Sequence, residues 1–352
     1  MTEEIDDELY TYLGSSGLQI SRLVVGCMSI GTKQFGEWVV SDKNQAFAIL
    51  KRAYDRGIRT YDTANFYSNG ASERLLGEFL KEYSIPRHSV VIFTKVFFPT
   101  EDNNPDFSSI KPVGKNPRSS VLVNRLGLSR KHILDSVEDS VKRLGTFIDL
   151  YQIHRFDPNT PIEETMKALH DVVESGKARY IGASSMRAYQ FVMMQNVAEK
   201  NGWSKFISMQ DYYNLNYRED EREMIPYCNL TGVGLIPYSP NDRGFLTRPF
   251  SAIIDDASRS KSLSHNLTDA EKEVITRVEN VAKKHNVSMS AIALAWLLHK
   301  GANPIVGFSK PERVDDALTA IALKLSDSDI EFLEEAYVSK PLSFFFEQKK
   351  YH

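Results

Sequence analysis

Three consecutive stretches decide the architecture: Asp149-Leu-Tyr-Gln-Ile-His154, Glu163-Glu-Thr-Met-Lys-Ala-Leu-His-Asp-Val-Val-Glu174 and Arg179-Tyr-Ile-Gly-Ala-Ser184. The outer two are short and mostly apolar, as strands inside a sheet are. The middle one places apolar residues at helical spacing, and Gly176 stops it. Strand, helix and strand joined by short connections make two parallel neighbours with a covering helix.

The same unit recurs on both sides. Strands are read at Leu23–Gly26, Arg59–Asp62, Val90–Lys95, Ile207–Gln210, Gly234–Pro237 and Pro304–Gly307, which with the two above makes eight. Helices are read at Lys43–Arg56, Ser72–Glu82, Ser129–Leu144, Ala188–Lys200, Glu219–Asn229, Ala270–His285 and Lys310–Ile321. Ser72 and Ser129 are placed as N-caps; Gly57, Gly145 and Gly301 as helix stops. Eight alternations are the number at which a parallel sheet closes, so the expected fold class is α/β, a (β/α)8 TIM barrel. An open doubly wound sheet lacks its Gly-rich phosphate turn here. The G-x-G at Gly232-Val-Gly234 precedes a strand instead of following one.

Four features lie outside the repeat. Tyr12–Ile20 reads as a hairpin placed to plug the N-terminal end of the barrel. Ser288–His299 reads as an extra apolar helix. Residues 97–127 and 240–267 are long polar loops on the C-terminal face, where lids belong. The whole chain, 1–352, is read as one barrel domain with a core of about 12–336 and tails at 1–10 and 340–352.

Composition narrows the function classes. Lys and Arg number 43 against 46 Asp and Glu, a net charge of −3. That balance gives no electrostatic case for nucleic acid or an anionic membrane. Two cysteines, Cys27 and Cys228, exclude a disulfide framework, and no H-E-x-x-H or cysteine cluster offers a metal site. The N-terminal MTEEIDDELY lacks the plan of a signal peptide, and no run is apolar for long enough to cross a membrane. The expected compartment is the cytoplasm, and the expected state a monomer or weak homo-oligomer.

Four polar side chains fall at or near consecutive strand ends. Asp62 closes the second strand, Tyr67 lies five residues further on, Lys95 closes the third strand and His154 the fourth. Each alone reads as a surface or packing residue. Together on one rim they read as chemistry. Lys95 lies between Val-Ile-Phe-Thr and Val-Phe-Phe-Pro, so its charge must be paired, and Asp62 is the natural partner.

The run Gly57-Ile-Arg-Thr-Tyr-Asp62-Thr-Ala-Asn-Phe-Tyr67-Ser-Asn-Gly-Ala-Ser-Glu73 closely resembles the aldo-keto reductase signature. Phe93-Thr-Lys95, Arg143 through His154, Gly176 through Ser185, Gln210 with Tyr213-Asn214, and Pro237-Tyr-Ser-Pro240 match in order over about residues 12–320. The details look most like the fungal aryl-alcohol dehydrogenase branch. The resemblance implies an NADP-dependent oxidoreductase that turns aldehydes or ketones into alcohols. It makes Tyr67 the general acid, with Lys95 lowering its pKa, Asp62 holding Lys95, and His154 orienting the carbonyl.

It also implies a cofactor track for NADP(H). Ser184, Ser185 and Gln210 fall at the nicotinamide carboxamide, and Tyr238 stacks on the ring. Ser239, Asn241 and Arg243 begin the pyrophosphate loop. Ser309, Lys310 and Arg313, at a helix start, grip the 2′-phosphate. Asp316-Ala317 stands where the family has Glu-Asn, so Asp316 joins the track while Ala317 offers adenine no hydrogen bond. Trp38, Phe97 and Phe98 are read as walls for a small carbonyl or alcohol substrate, with aromatic or aliphatic aldehydes favoured over sugars. The alternative is an NADPH-binding regulatory subunit with slow or little turnover.

Overall fold

Every residue of Ile148–Ile153 is buried, as a strand must be when it is covered on both faces. In the computed structural model, which describes residues 8–102, 104, 107, 120, 122–253 and 267–343, that strand is the middle of a parallel sheet. After the hairpin strands β1 (Tyr10–Tyr12) and β2 (Gln19–Ser21) come β3 (Val24–Gly26), β4 (Thr60–Asp62), β5 (Val91–Val96) and β6 (Ile148–Ile153). Then follow β7 (Ala178–Ser184), β8 (Phe206–Gln210), β9 (Gly234–Leu235) and β10 (Ile305–Gly307). The sheet runs β10-β3-β4-β5-β6-β7-β8-β9. Its two ends meet: Tyr238 bridges Ile305 in parallel, and Ile305 N–H donates to Pro237 O at 2.9 Å. The expected (β/α)8 barrel is present, with the eight strands in the expected order.

The hairpin closes the bottom. Leu13 and Ile20 pack with Val24, Phe93, Leu150, Ile236 and Ile305, an apolar plug across the N-terminal end. Around the sheet lie α1 (Lys43–Asp55), α2 (Ala71–Glu82), α3 (Arg130–Leu144), α4 (Ile162–Glu174), α5 (Ala188–Asn201), α6 (Met224–Thr231) and the short α7 (Phe250–Ile253). The set is completed by α8 (Asp269–His285), α9 (Met289–His299), α10 (Glu312–Ala322) and α11 (Asp327–Glu334). The apolar helix expected near 288–299 is α9. It buries Ile292, Trp296 and Leu297 against Val274 and Val278 of α8 and Leu333 of α11, a second core outside the barrel.

Two sequence expectations need correction. Ser129 caps α3 by accepting from His132 N–H, but Ser72 is no cap. Gly70 begins α2 at φ +82°, while Ser72 Oγ donates to Cys27 O at 2.8 Å and lies 2.9 Å from Thr63 Oγ1. The helix expected over 219–229 is broken into a 3-10 turn, Glu219–Arg222, and α6. Pro226 has no N–H to bond the Arg222 carbonyl, so one helix cannot run through.

Contacts also reach residues on either side of 12–336. Leu9 is buried, and Glu219 Oε1 accepts from Lys340 N–H at 2.7 Å. Of the two expected lids, residues 103, 105–106, 108–119, 121 and 254–266 lie outside the described residues. The base of the first is pinned, since Gly127 N–H donates to Phe97 O at 2.9 Å. Among the described residues no helix is long and apolar enough to cross a membrane.

Candidate active site

Side chains alternate along a strand, so residues two apart share a face. Leu150 faces the apolar plug, so Gln152 faces inward one layer higher, and His154 follows in the same phase. Lys95 is paired opposite Gln152, Gln152 opposite Gly182, and Ser184 opposite Gln210. A polar layer thus sits on the apolar one, towards the C-terminal end. Gly182 makes room for it: a Cβ there would meet Ser208 Oγ at 2.4 Å and Gln152 Cγ at 3.1 Å.

Lys95 is 0 % exposed. Its ammonium donates to Asp62 Oδ2 at 2.6 Å, Thr63 O at 2.8 Å and Tyr67 Oη at 3.3 Å. All three protons are used, which is what makes a buried charge tenable. Asp62 Oδ1 in turn accepts from Gln152 Nε2 at 3.1 Å and Gln210 Nε2 at 3.0 Å. Burial is the largest influence on Lys95 and opposes its charge, but Asp62 and Tyr67 together outweigh it. Its pKa stands above the ordinary lysine value.

Tyr67 behaves differently from the expectation. Burial pushes its phenol above the ordinary value, and the Lys95 charge offsets only part of that. The cation is already shared with Asp62, whose own charge also raises Tyr67. The phenol therefore keeps its proton at neutral pH, the state a proton donor needs. His154 is held well below its ordinary value by burial, then by Arg155 and Lys95, so its ring is neutral. Its Nδ1 is buried without a hydrogen-bond partner among the described residues.

Aromatic rings box this corner. The His154 ring lies 5.1 Å from Phe66, 5.3 Å from Phe98 and 5.9 Å from Tyr67. Trp38 reaches the box through Phe35, which is 6.0 Å from Trp38 and 6.2 Å from Tyr67. Phe97 packs against Phe98 at 5.1 Å and is 1 % exposed.

The cofactor track divides into three groups. Ser184 Oγ is 3.3 Å from Ser185 Oγ, which donates to Tyr238 Oη at 3.4 Å. Gln210, the register partner of Ser184, has its amide nitrogen committed to Asp62 and to Gln152 Oε1, each at 3.0 Å. Ser239 and Arg243 adopt left-handed backbone at φ +53° and +57°. Asn241 Nδ2 donates to Ser290 Oγ at 2.9 Å, while its buried Oδ1 has no partner among the described residues. Across the rim, Lys310 and Arg313 are exposed at the start of α10, with Ser309 beside them. Asp316 is placed elsewhere: it accepts from Ser288 Oγ, the N-cap of α9, at 2.9 Å.

Sequence reasoning missed three residues. Gln152 could have been found by parity, being a polar side chain two before His154 and so on the same face of its strand. Asp211, whose Oδ1 accepts the Ser185 N–H at 2.7 Å, follows Gln210 directly, but nothing local marks it. Asn65 Nδ2 donates to Phe98 O at 2.9 Å and so fixes the aromatic wall. Glu73, noted only as part of a signature, is a buried anchor. It accepts from Thr94 Oγ1 at 2.5 Å and from Arg143 at 2.7 Å, tying α2 to β5 and α3.

Comparison with known proteins agrees with this geometry. The sequence is 56 % identical over 345 residues to a provisionally named aryl-alcohol dehydrogenase of Schizosaccharomyces pombe, covering 96 % of this chain and 98 % of that protein. It is 52 % identical over 334 residues to another protein with that provisional name, from Saccharomyces cerevisiae, covering 92 % and 96 %. It is 48 % identical over 339 residues to versiconal hemiacetal acetate reductase of Aspergillus parasiticus, covering 95 % and 98 %. The pattern of the aldo/keto reductase family spans residues 27–338, from the end of β3 to beyond α11. The barrel, its polar layer and this match along nearly the whole length agree: the chain belongs to the aldo/keto reductase family of oxidoreductases.

Proposed function

We propose that the chain reduces aldehydes or ketones to alcohols with NADPH, Tyr67 giving the proton. The observation that carries this reading is the Lys95 ammonium, shared between Asp62 and the Tyr67 hydroxyl beside a neutral His154. The reductase name of one relative supports the direction.

The residues of the track fit a nicotinamide dinucleotide. The hydroxyls of Ser184, Ser185 and Tyr238 cluster at one end, and the Asn241 Oδ1 is an orphan acceptor along the way. At the other end, neither the Lys310 nor the Arg313 side chain has an ion-pair or hydrogen-bond partner among the described residues. Two exposed cations at a helix start suit a phosphate. This favours the 2′-phosphorylated form. When bound, the cofactor supplies hydride to the carbonyl carbon.

The protein's part is proton and charge handling. Tyr67 Oη gives its proton to the carbonyl oxygen as negative charge develops there. Lys95 stabilises the phenolate left behind, and Asp62 keeps the ammonium aimed at it. His154, neutral, orients the oxygen with its ring N–H. Solvent returns the proton to Tyr67 between turnovers. Phe35, Phe66, Phe98 and Trp38 favour an apolar aldehyde, aromatic or aliphatic, over a sugar.

The test is Tyr67→Phe, followed by NADPH absorbance with benzaldehyde. Reduction should fall by roughly 10²–10⁴-fold, as for loss of a general acid, with cofactor affinity kept. Parental kcat in that variant overturns the assignment.

A further inference from the structure

A second space adjoins the candidate site. A cavity of about 670 Å³ opens between the loops that follow β6, β7 and β8. Ser185 forms part of its wall, so it begins where the nicotinamide end of the proposed cofactor track stops. Phe156, Met186, Met224 and Leu342 are the apolar part of a lining that also carries Arg187, Glu219, Arg222 and Glu223. Arg155 stands in the chain between His154 and Phe156 of the cavity wall. It donates to His154 O at 2.6 Å, and its charge acts on both Tyr67 and Asp211.

The lining also holds a buried acid. Asp220 is 7 % exposed, lines the cavity and has no hydrogen-bond partner among the described residues. Asp211 stands behind it. Both line the same small void, and Asp211 Oδ2 is buried without a partner there. The Asp220 oxygens are not closed off from the cavity, so a ligand hydroxyl there would give this carboxyl a partner. Burial raises the pKa of both acids, and Asp211 raises Asp220 further. Their proton is retained well above the pH at which an ordinary carboxyl ionises.

Size points the same way. Sites for drug-sized ligands run to roughly 300–1,000 Å³. A single-ring aldehyde reacting at Tyr67 leaves this space empty.

We propose that the cavity is a distal substrate subsite, taking the far end of an extended apolar carbonyl compound and holding a hydroxyl there against Asp220. This rests on the reading that the carbonyl itself reacts at Tyr67. The preferred substrate class is then an extended aryl carbonyl compound with a remote phenol or alcohol.

The test uses a biaryl aldehyde with a phenol at its far end, the same biaryl without the hydroxyl, and benzaldehyde, all with saturating NADPH. The parent should favour the hydroxylated biaryl over the plain one in kcat/KM. Asp220→Leu should reduce that ratio by about tenfold, the size of one hydrogen bond to a charged or strongly polar group. Asp220→Ala serves the same comparison if the leucine variant does not fold. Leu342→Trp, at the exposed mouth, should lower kcat/KM for both biaryls relative to benzaldehyde. An unchanged hydroxyl preference in the Asp220 variants overturns the Asp220 contact. Unchanged biaryl turnover in Leu342→Trp overturns the cavity. If the parent reduces none of the three, the proposed reaction fails. Calorimetric binding of the hydroxylated biaryl to parent and Asp220→Leu then still reads the subsite alone, and equal affinity overturns it.

Discussion

Gln152 Nε2 donates to Asp62 Oδ1 at 3.1 Å from the inward face of the fully buried strand β6. The opposite oxygen of Asp62 is held by Lys95 at 2.6 Å, so the carboxylate is clamped from both sides. Gln152 Oε1 also accepts from Gln210 Nε2 at 3.0 Å. One side chain thus orients both the acid behind the proposed proton donor and the Gln210 amide among the proposed nicotinamide contacts.

Gln152→Leu should therefore lower kcat while leaving the fold intact. A hydrogen bond to a charged group is worth about 1.5–3 kcal/mol, or between roughly tenfold and a hundredfold in rate. Steady-state kinetics beside a circular dichroism melt reads both halves. Parental kcat would make this contact a spectator.

Lys95→Met should be costly for stability as well as turnover. It strands Asp62, 2 % exposed, as a buried charge without its cation. Breaking such a pair costs about 3–5 kcal/mol. Urea denaturation should show that loss, and adding Asp62→Leu should recover part of it. No recovery in the double variant would mean that the pair is not the source.

Asp211 sets a pH dependence whose sign follows from its raised pKa. The folded protein keeps the Asp211 proton at a pH where the unfolded chain, near the ordinary 3.8, has lost it. Its contribution is thus fully present in acid and declines as pH rises towards neutrality. Asp211→Asn keeps an acceptor for the Ser185 N–H and removes the titration. Between about pH 5 and pH 7 the parent should lose more unfolding free energy than the variant. A parallel pair of urea-derived stability curves sinks this assignment.

Arg313→Ala should weaken NADPH and spare NADH. Arg313 is exposed, and its side chain has no partner among the described residues, so the fold does not depend on it. Loss of one charged phosphate contact is about 1.5–3 kcal/mol. Fluorescence titration with both nucleotides distinguishes the outcomes, and equal loss for both would falsify a 2′-phosphate role.

The barrel was legible in the sequence because its cause is local. Eight apolar runs of strand length, each followed by a helical stripe, need no distant information to be recognised. Asp62, Lys95 and His154 were legible for the same reason, since each ends or follows a readable strand. The tertiary structure decided what depends on neighbours remote in the chain. Gln152 and Gln210 reach Asp62 across 90 and 148 residues. They meet only because strand register and the missing Cβ of Gly182 open the space. Ser72 has the chemistry of a cap, but Gly70 takes the helix start and Ser72 turns to Cys27. The Tyr67 phenol lies beside a cation, yet burial and Asp62 leave its pKa raised. Electrostatics at a buried site sums over every charge and every excluded water, and that sum exists only once the barrel has closed.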